Sequence, residues 1–194
     1  MLQEIVWSPS EGRKINCHNY NTLTEKRIGV MVHFDDSGSD ESAMAWFEDP
    51  ACHVSYNYLV LDDGSYVVIA PDQFRAWHAG VCASSDPPRL HYRDANSAFV
   101  GIAAATNDKV RATPEQHFTI AWLCRQVFER NHWPLTDVWR VTGHDAEAVY
   151  PQMLNGKPHP LAGKRGRKID PTGRHPNDPI VSLGRVREYL ARVR

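Results

Sequence analysis

Seven consecutive residues, Phe99 to Ala105 (FVGIAAA), carry no polar side chain. An unbroken apolar run of that length fits a strand buried on both faces, at the centre of a sheet that other elements must cover. Arg27 to Phe34 (RIGVMVHF) reads as a second buried strand, with His33 near its C-terminal end. Val54 to Val60 (VSYNYLV) and Tyr66 to Ala70 (YVVIA) form a hairpin around a turn containing Asp62, Asp63 and Gly64. Leu135 to Val141 holds a short strand that leads into Gly143-His144.

Helices alternate with these strands. The polar DDSGSDES caps a helix over Glu41–Asp49, with Ala43, Met44, Trp46 and Phe47 on its apolar side. Thr113-Pro114-Glu115-Gln116 places threonine at a cap, proline at the first helical position and glutamine three residues on. Behind it Phe118, Ala121, Trp122, Cys124, Val127 and Phe128 give one apolar face, and Asn131 and Pro134 mark the exit. A short helix follows His144, and Ser182–Arg194 forms the last one, with Leu183, Val186 and Leu190 inward. The pattern predicts an α/β single domain, a central mixed β-sheet flanked by helices. Residues 1–26 read as a polar, irregular N-terminal extension on or beside a domain spanning 27–194. The stretch from Cys82 to Ala95 and the Pro- and Gly-rich segment 151–179 read as long loops.

A chain of 194 residues is most simply one domain with a well-formed core. Its formal net charge of -1 gives no reason to expect a nucleic-acid partner. The positive stretch from Gly163 to Lys168 (GKRGRK) reads as a solvated loop able to meet an anionic polymer. Apolar runs are too short to span a bilayer, and the N-terminal residues lack the basic-then-apolar order of a secretory signal. Cytoplasmic synthesis without Sec-type export is the expectation. Cys17, Cys52, Cys82 and Cys124 are scattered without a CxxC pair, so free thiols are expected.

Ten histidines are too many for residue type alone to select a site. Three residues stand out by their surroundings: His33 at a strand end, His144 in VTGHD, and Asp170 two residues after Lys168 in KRGRKIDPTG. Two imidazoles and one carboxylate suit a borderline-soft divalent ion such as zinc, with a fourth position open to water.

The pieces VMVHF, VSYNYLVLDDGSYV, AWHAG, NSAFVGI, TPEQ, VTGHD and KIDPTG, in that order from about residue 28 to residue 173, resemble the zinc-dependent N-acetylmuramoyl-L-alanine amidases of type 2. That superfamily includes peptidoglycan recognition proteins and phage lysins. The resemblance implies Zn²⁺ held by His33, His144 and Asp170. It also implies a catalytic pair, Tyr56 and Lys168, and a groove beside Trp77, His78 and Asn57. Tyr58 is an alternative to Tyr56, placed by sequence on the same strand face. Departures from the family pattern are Phe34, Asp35 and Asp36 after the first histidine, Asn57 where histidine is frequent, Ala103 in place of the acid of GIE, and Thr172 inserted before Gly173.

The activity so implied is hydrolysis, by a zinc-activated water, of the amide between N-acetylmuramic acid and L-alanine in bacterial peptidoglycan. Zinc brings the pKa of water from 15.7 down to about 7, and Lys168 can offset charge on the attacked carbonyl. A phage endolysin, held in the host cytoplasm before lysis and then reaching the wall, is the expected role. A cytoplasmic amidase acting on soluble anhydromuropeptides and a non-catalytic peptidoglycan-binding module are the alternatives. No obligate protein partner is expected.

Overall fold

The computed structural model describes residues 6–12, 14–82, 91–148, 153–154, 157–158, 160–161, 164, 168–173 and 179–193. Its centre is a five-stranded mixed sheet of order β4-β3-β6-β2-β7. These strands are β2 (Gly29–Phe34), β3 (Tyr58–Val60), β4 (Tyr66–Val68), β6 (Phe99–Ala104) and β7 (Val141–Gly143). β6 is the middle strand, as its unbroken apolar run requires. β2, β3, β6 and β7 run parallel, and only β4 is antiparallel. The β3–β4 hairpin closes through Leu61 N–H on the Ser65 carbonyl and Gly64 N–H on the Leu61 carbonyl, both 2.9 Å. Gly64 has φ +82°, a conformation that glycine adopts without steric cost.

Alternation along the strands divides the core in two. On one face Val30, Val32, Phe34, Val100, Ile102 and Ala104 pack under α3 (Pro114–Arg130) and α5 (Leu183–Leu190). On the other, Leu59, Leu61, Ala103 and Ala105 meet Ala43 and Phe47 of α1 (Asp40–Glu48). Met31 and Phe99, also on that second face, meet Ala95 and Ala98 of α2 (Ala95–Ala98). Two residues beyond Met31, His33 shares this second face.

A one-turn helix, α4 (His144–Glu147), follows β7, and the longer helices begin at their caps. Thr113 accepts from Gln116 N–H at 3.1 Å while the Gln116 amide oxygen accepts from Thr113 N–H at 2.9 Å, and Pro114 opens α3. Ser39 and Ser42 form the equivalent box at α1.

Three local expectations need correction. The first concerns residues 1–26, which are not wholly irregular: β1 (Tyr20–Thr22) pairs antiparallel with β5 (Phe74–Ala76). The pairing is satisfied by a distant partner strand, so the local sequence of β1 carries no period to announce it. The second concerns the expected strand over 135–141, which is replaced by a 3-10 turn, Val138–Arg140, before the three residues of β7. Arg140 holds that turn, bonding Asp137 at 3.2 Å and lying over the Trp133 and Trp139 rings at 4.8 and 4.3 Å. The third concerns residues 54–57, which stand outside β3. The excursion expected after Cys82 falls largely on 83–90, and much of the 151–179 loop, with Arg165 and Arg167, likewise lies outside the described residues. No helix among the described residues is long and apolar enough to cross a membrane.

Candidate metal centre

The parallel register pairs Val32 of β2 with Gly143 of β7. The next residue on each chain is a histidine, so His33 and His144 sit side by side at the C-terminal ends of adjacent parallel strands. In open α/β sheets this is the edge where ligands bind. Asp170 reaches them from the loop before α5, anchored by its carbonyl, which accepts from Asp145 N–H at 2.6 Å. Its Oδ2 lies 2.7 Å from His33 Nδ1 and 3.1 Å from His144 Nδ1.

One donor atom from each of the three residues lies within 4.8 Å of the others, and all three side chains are buried. With zinc–ligand bonds of about 2 Å, this spacing and this nitrogen–nitrogen–oxygen set fit a zinc ion. Protonation fits too. Burial lowers the His33 pKa to about 4, only partly opposed by the Asp170 hydrogen bond. For Asp170 burial acts upward, but hydrogen bonds to His144 and His33 outweigh it and hold the carboxyl well below its usual range. Neutral imidazole and ionised carboxylate are the ligating forms.

The far side of each imidazole is also occupied. His144 Nε2 donates to the Ala79 carbonyl at 2.8 Å. His33 Nε2 meets His78 Nδ1 at 3.1 Å, and His78 Nε2 meets the Phe99 carbonyl at 3.3 Å. A carbonyl only accepts, so His78 carries its proton on Nε2. With a cation in place of the Nδ1 proton that His33 shares with Asp170, His33 carries its proton on Nε2 and donates it to His78 Nδ1.

Beside the three residues opens a cleft of about 350 Å³ lined by Phe34, Asp35, Asp36, Tyr56, Asp108, Lys168, Ile169 and Asp170. Lys168 is exposed on its wall. The Tyr56 ring is half-buried, 4.9 Å from that of His33 and 5.6 Å from that of Phe47. Burial, and then the nearby Asp170 and Asp35, push its pKa well above that of a free phenol, so the hydroxyl keeps its proton for donation. Burial also raises Asp35 to about 6, against hydrogen bonds from Ser37 and Thr106.

Tyr58 is on the other face, packed in the α3 layer and bonded to Arg130 at 3.3 Å. The bend at Asn57 breaks the two-residue alternation that would have kept Tyr56 and Tyr58 together.

The three residues expected along a groove are placed differently. Asn57 is fully buried, its amide nitrogen directed at the carbonyls of Ala70, Pro71 and Phe74 and its oxygen accepting from Gly101 N–H. It braces strands rather than lining the cleft. His78 lies behind His33, away from the cleft walls. Trp77 is half-buried, tied to Ser55 through its backbone, with an indole N–H that has no hydrogen-bond partner among the described residues. Of the residues that departed from the family pattern, Thr172 donates to the Asp145 carboxylate, and Ala103 stands beside His33 in the β2–β6 register. Sequence reading passed over Asn96 and Gly101, which touch His78 rather than the cleft.

The model of the family described as N-acetylmuramoyl-L-alanine amidase matches residues 24–173. A curated relative, N-acetylmuramoyl-L-alanine amidase A of Achromobacter lyticus, is 24% identical over 169 residues, which are 87% of this chain and 86% of that protein. Among solved structures, a selenomethionine derivative of AmpD has a TM-score of 0.65 at 23% identity, covering 98% of this chain and 99% of its own. AmpDh3 of Pseudomonas aeruginosa, in complex with anhydromuramic pentapeptide, has a TM-score of 0.54 at 19% identity over 81% of this chain and 61% of its own. PlyL reaches a TM-score of 0.51 at 15% identity over 77% of this chain and 85% of its own. These structural likenesses concern the fold.

Proposed function

This chain belongs to the N-acetylmuramoyl-L-alanine amidase family, and from that premise we propose that it is a zinc-dependent hydrolase of the amide joining N-acetylmuramic acid to L-alanine in peptidoglycan. The observation that carries the reading is the convergence of His33 Nδ1, His144 Nδ1 and Asp170 Oδ2 beside a cleft that also holds Tyr56 and Lys168.

His33, His144 and Asp170 would hold the ion, which supplies Lewis acidity to a carbonyl and makes water acidic enough to attack near neutral pH. The remaining work falls to the chain. Lys168, a cation on the cleft wall, offsets the negative charge that grows on the carbonyl oxygen as the amide carbon becomes tetrahedral. Tyr56, held protonated, donates a hydrogen bond into the same space. Asp170, ionised and tied to both imidazoles, keeps the ligand set together.

Two substrates remain in view. The match of Tyr56 and Lys168 to the lysin branch supports intact wall as the substrate, with a phage endolysin as the biological role. Soluble anhydromuropeptides are favoured by the fold shared with AmpDh3, which was solved with such a compound bound. Mass analysis of digests of purified sacculi and of a synthetic anhydromuropeptide tests both. Release of L-alanine amino groups without new sugar ends, abolished by chelation and restored by zinc, is the expected result. Turnover of sacculi favours the lysin, and turnover of the soluble compound alone favours the second role. No amide cleavage of either substrate by zinc-loaded protein would overturn the reading.

A further inference from the structure

The outer partners of both ligand histidines come from one dipeptide. His78 supplies the ring that meets His33 Nε2, and Ala79 supplies the carbonyl that takes the His144 Nε2–H. This dipeptide lies outside any strand or helix, so no backbone ladder fixes it. Both of its backbone N–H groups are held by one side chain. Asn96 Oδ1 accepts from His78 N–H at 2.9 Å and from Ala79 N–H at 2.7 Å. Asn96 is buried within α2, and its own N–H bonds the Asp94 cap at 3.2 Å. The opposite side of the His78 ring is set by Gly101. A Cβ at that position would lie 2.7 Å from His78 Cγ and Cδ2, so the ring lies directly on the backbone of the central strand.

We propose that Asn96 is a positioning residue for the metal centre, acting through the His78-Ala79 dipeptide to fix the orientation and tautomer of His33 and His144 together. The proposal rests on the reading of His33, His144 and Asp170 as a zinc site. An acceptor on Asn96 aims the Ala79 carbonyl at His144 and the His78 ring at His33; both imidazoles then carry Nε2–H and present Nδ1 to the ion. Partners one step outside the ligands set ring orientation and basicity, and losing one typically costs about 10- to 100-fold in metal affinity. Asn96 stands one step further out but governs two such partners at once.

The test is zinc affinity, measured by competition with a chromophoric chelator on the full chain, alongside thermal unfolding of the metal-free protein. Asn96→Leu keeps the side-chain size and loses the acceptor. It is expected to weaken zinc binding by about 10-fold or more. Asn96→Asp keeps an acceptor oxygen and is expected to stay within a few-fold of wild type. In zinc-loaded wild type, imidazole ¹⁵N spectra should show His33 and His144 as Nε2–H tautomers, and Asn96→Leu should disturb both signals. A folded Asn96→Leu that binds zinc like wild type overturns the proposal, as does an Asn96→Asp variant as weak as Asn96→Leu. If Asn96→Leu fails to fold, Gly101→Ala decides, because its methyl displaces the His78 ring: unchanged zinc affinity there also overturns it. Failure of wild type itself to bind zinc would instead refute the metal reading beneath it.

Discussion

His33 and Asp170 are 137 positions apart in the chain and 2.7 Å apart in the fold, Nδ1 to Oδ2. The contact exists because β2 and β7 are parallel neighbours and the loop ahead of α5 folds back over their ends. Burial keeps the imidazole neutral, and the imidazole contacts keep the carboxylate ionised. The pair is therefore prepared for a cation before one arrives.

Replacing either His33 or His144 by alanine leaves a two-ligand site, which holds zinc weakly and places it poorly. Elemental analysis after gel filtration should show near-stoichiometric zinc in wild type and little in His33→Ala or His144→Ala, with amidase activity lost in parallel. Equal zinc in wild type and His144→Ala would remove His144 from the ligand set.

Tyr56→Phe and Lys168→Ala are expected to separate chemistry from metal binding, since both line the cleft and neither is a proposed ligand. Zinc content should hold while kcat falls by roughly a hundredfold or more, the usual effect of losing one preorganised donor, about 2.7–4 kcal/mol. Wild-type turnover at saturating substrate in both variants would exclude them from the reaction.

The sequence makes its long-range elements readable where side-chain chemistry is periodic or capped. The apolar run of β6, the β3–β4 turn at Gly64 and the Thr113–Gln116 box all appear where local rules place them. The three candidate ligands are legible as residues, but the parallel register of β2 and β7 is what makes His33 and His144 neighbours, and a loop brings Asp170 to them. What stays hidden is whatever depends on distant backbone. β1 exists because β5 offers it an edge, and Asn57 is interior because three carbonyls converge on its amide. His78 looks like a groove residue in AWHAG, and its partner His33 is brought to it only by the fold. Local alternation likewise misplaced Tyr58, because a single bend at Asn57 undoes it.

Arg27 is a further case of a residue whose role is set by distant backbone. Its guanidinium donates to the carbonyls of Asp72, Phe74, Asn96, Ser97 and Phe99, tying the β5 hook and the end of α2 to the start of β6. Burial lowers its pKa to about 10, which leaves it charged at neutral pH. Arg27→Met should destabilise the metal-free protein by about 3 kcal/mol or more, because charge-assisted bonds contribute about 1.5–3 kcal/mol each and several carbonyls lose their donor. Arg27→Lys should rescue little, since an ammonium cannot fork to this array. A urea midpoint unchanged in Arg27→Met would show that these carbonyls find other donors.

The acid limb of stability should carry a contribution from His117, which is remote from the cleft. His117 is buried under α5, with Nδ1 donating to the Thr113 carbonyl at 2.8 Å and Nε2 accepting from Ser182 N–H at 3.0 Å. Accepting that bond requires the neutral ring. Burial lowers its pKa, with the nearby Arg185 acting in the same direction and the Thr113 bond against it. The unfolded chain takes up this proton near pH 6.5, whereas the folded protein resists it to lower pH. Protons bound thus favour the unfolded state, and stability falls as pH drops below about 6.5, levelling once the folded pKa is passed. His117→Gln removes this titration while the other histidines contribute equally to both proteins. The stability advantage of wild type over His117→Gln, from urea unfolding of metal-free protein, should therefore be larger at pH 8 than at pH 5. An advantage that is constant or grows toward pH 5 would mean that His117 is protonated in the folded state, and that the Ser182 N–H finds a different acceptor.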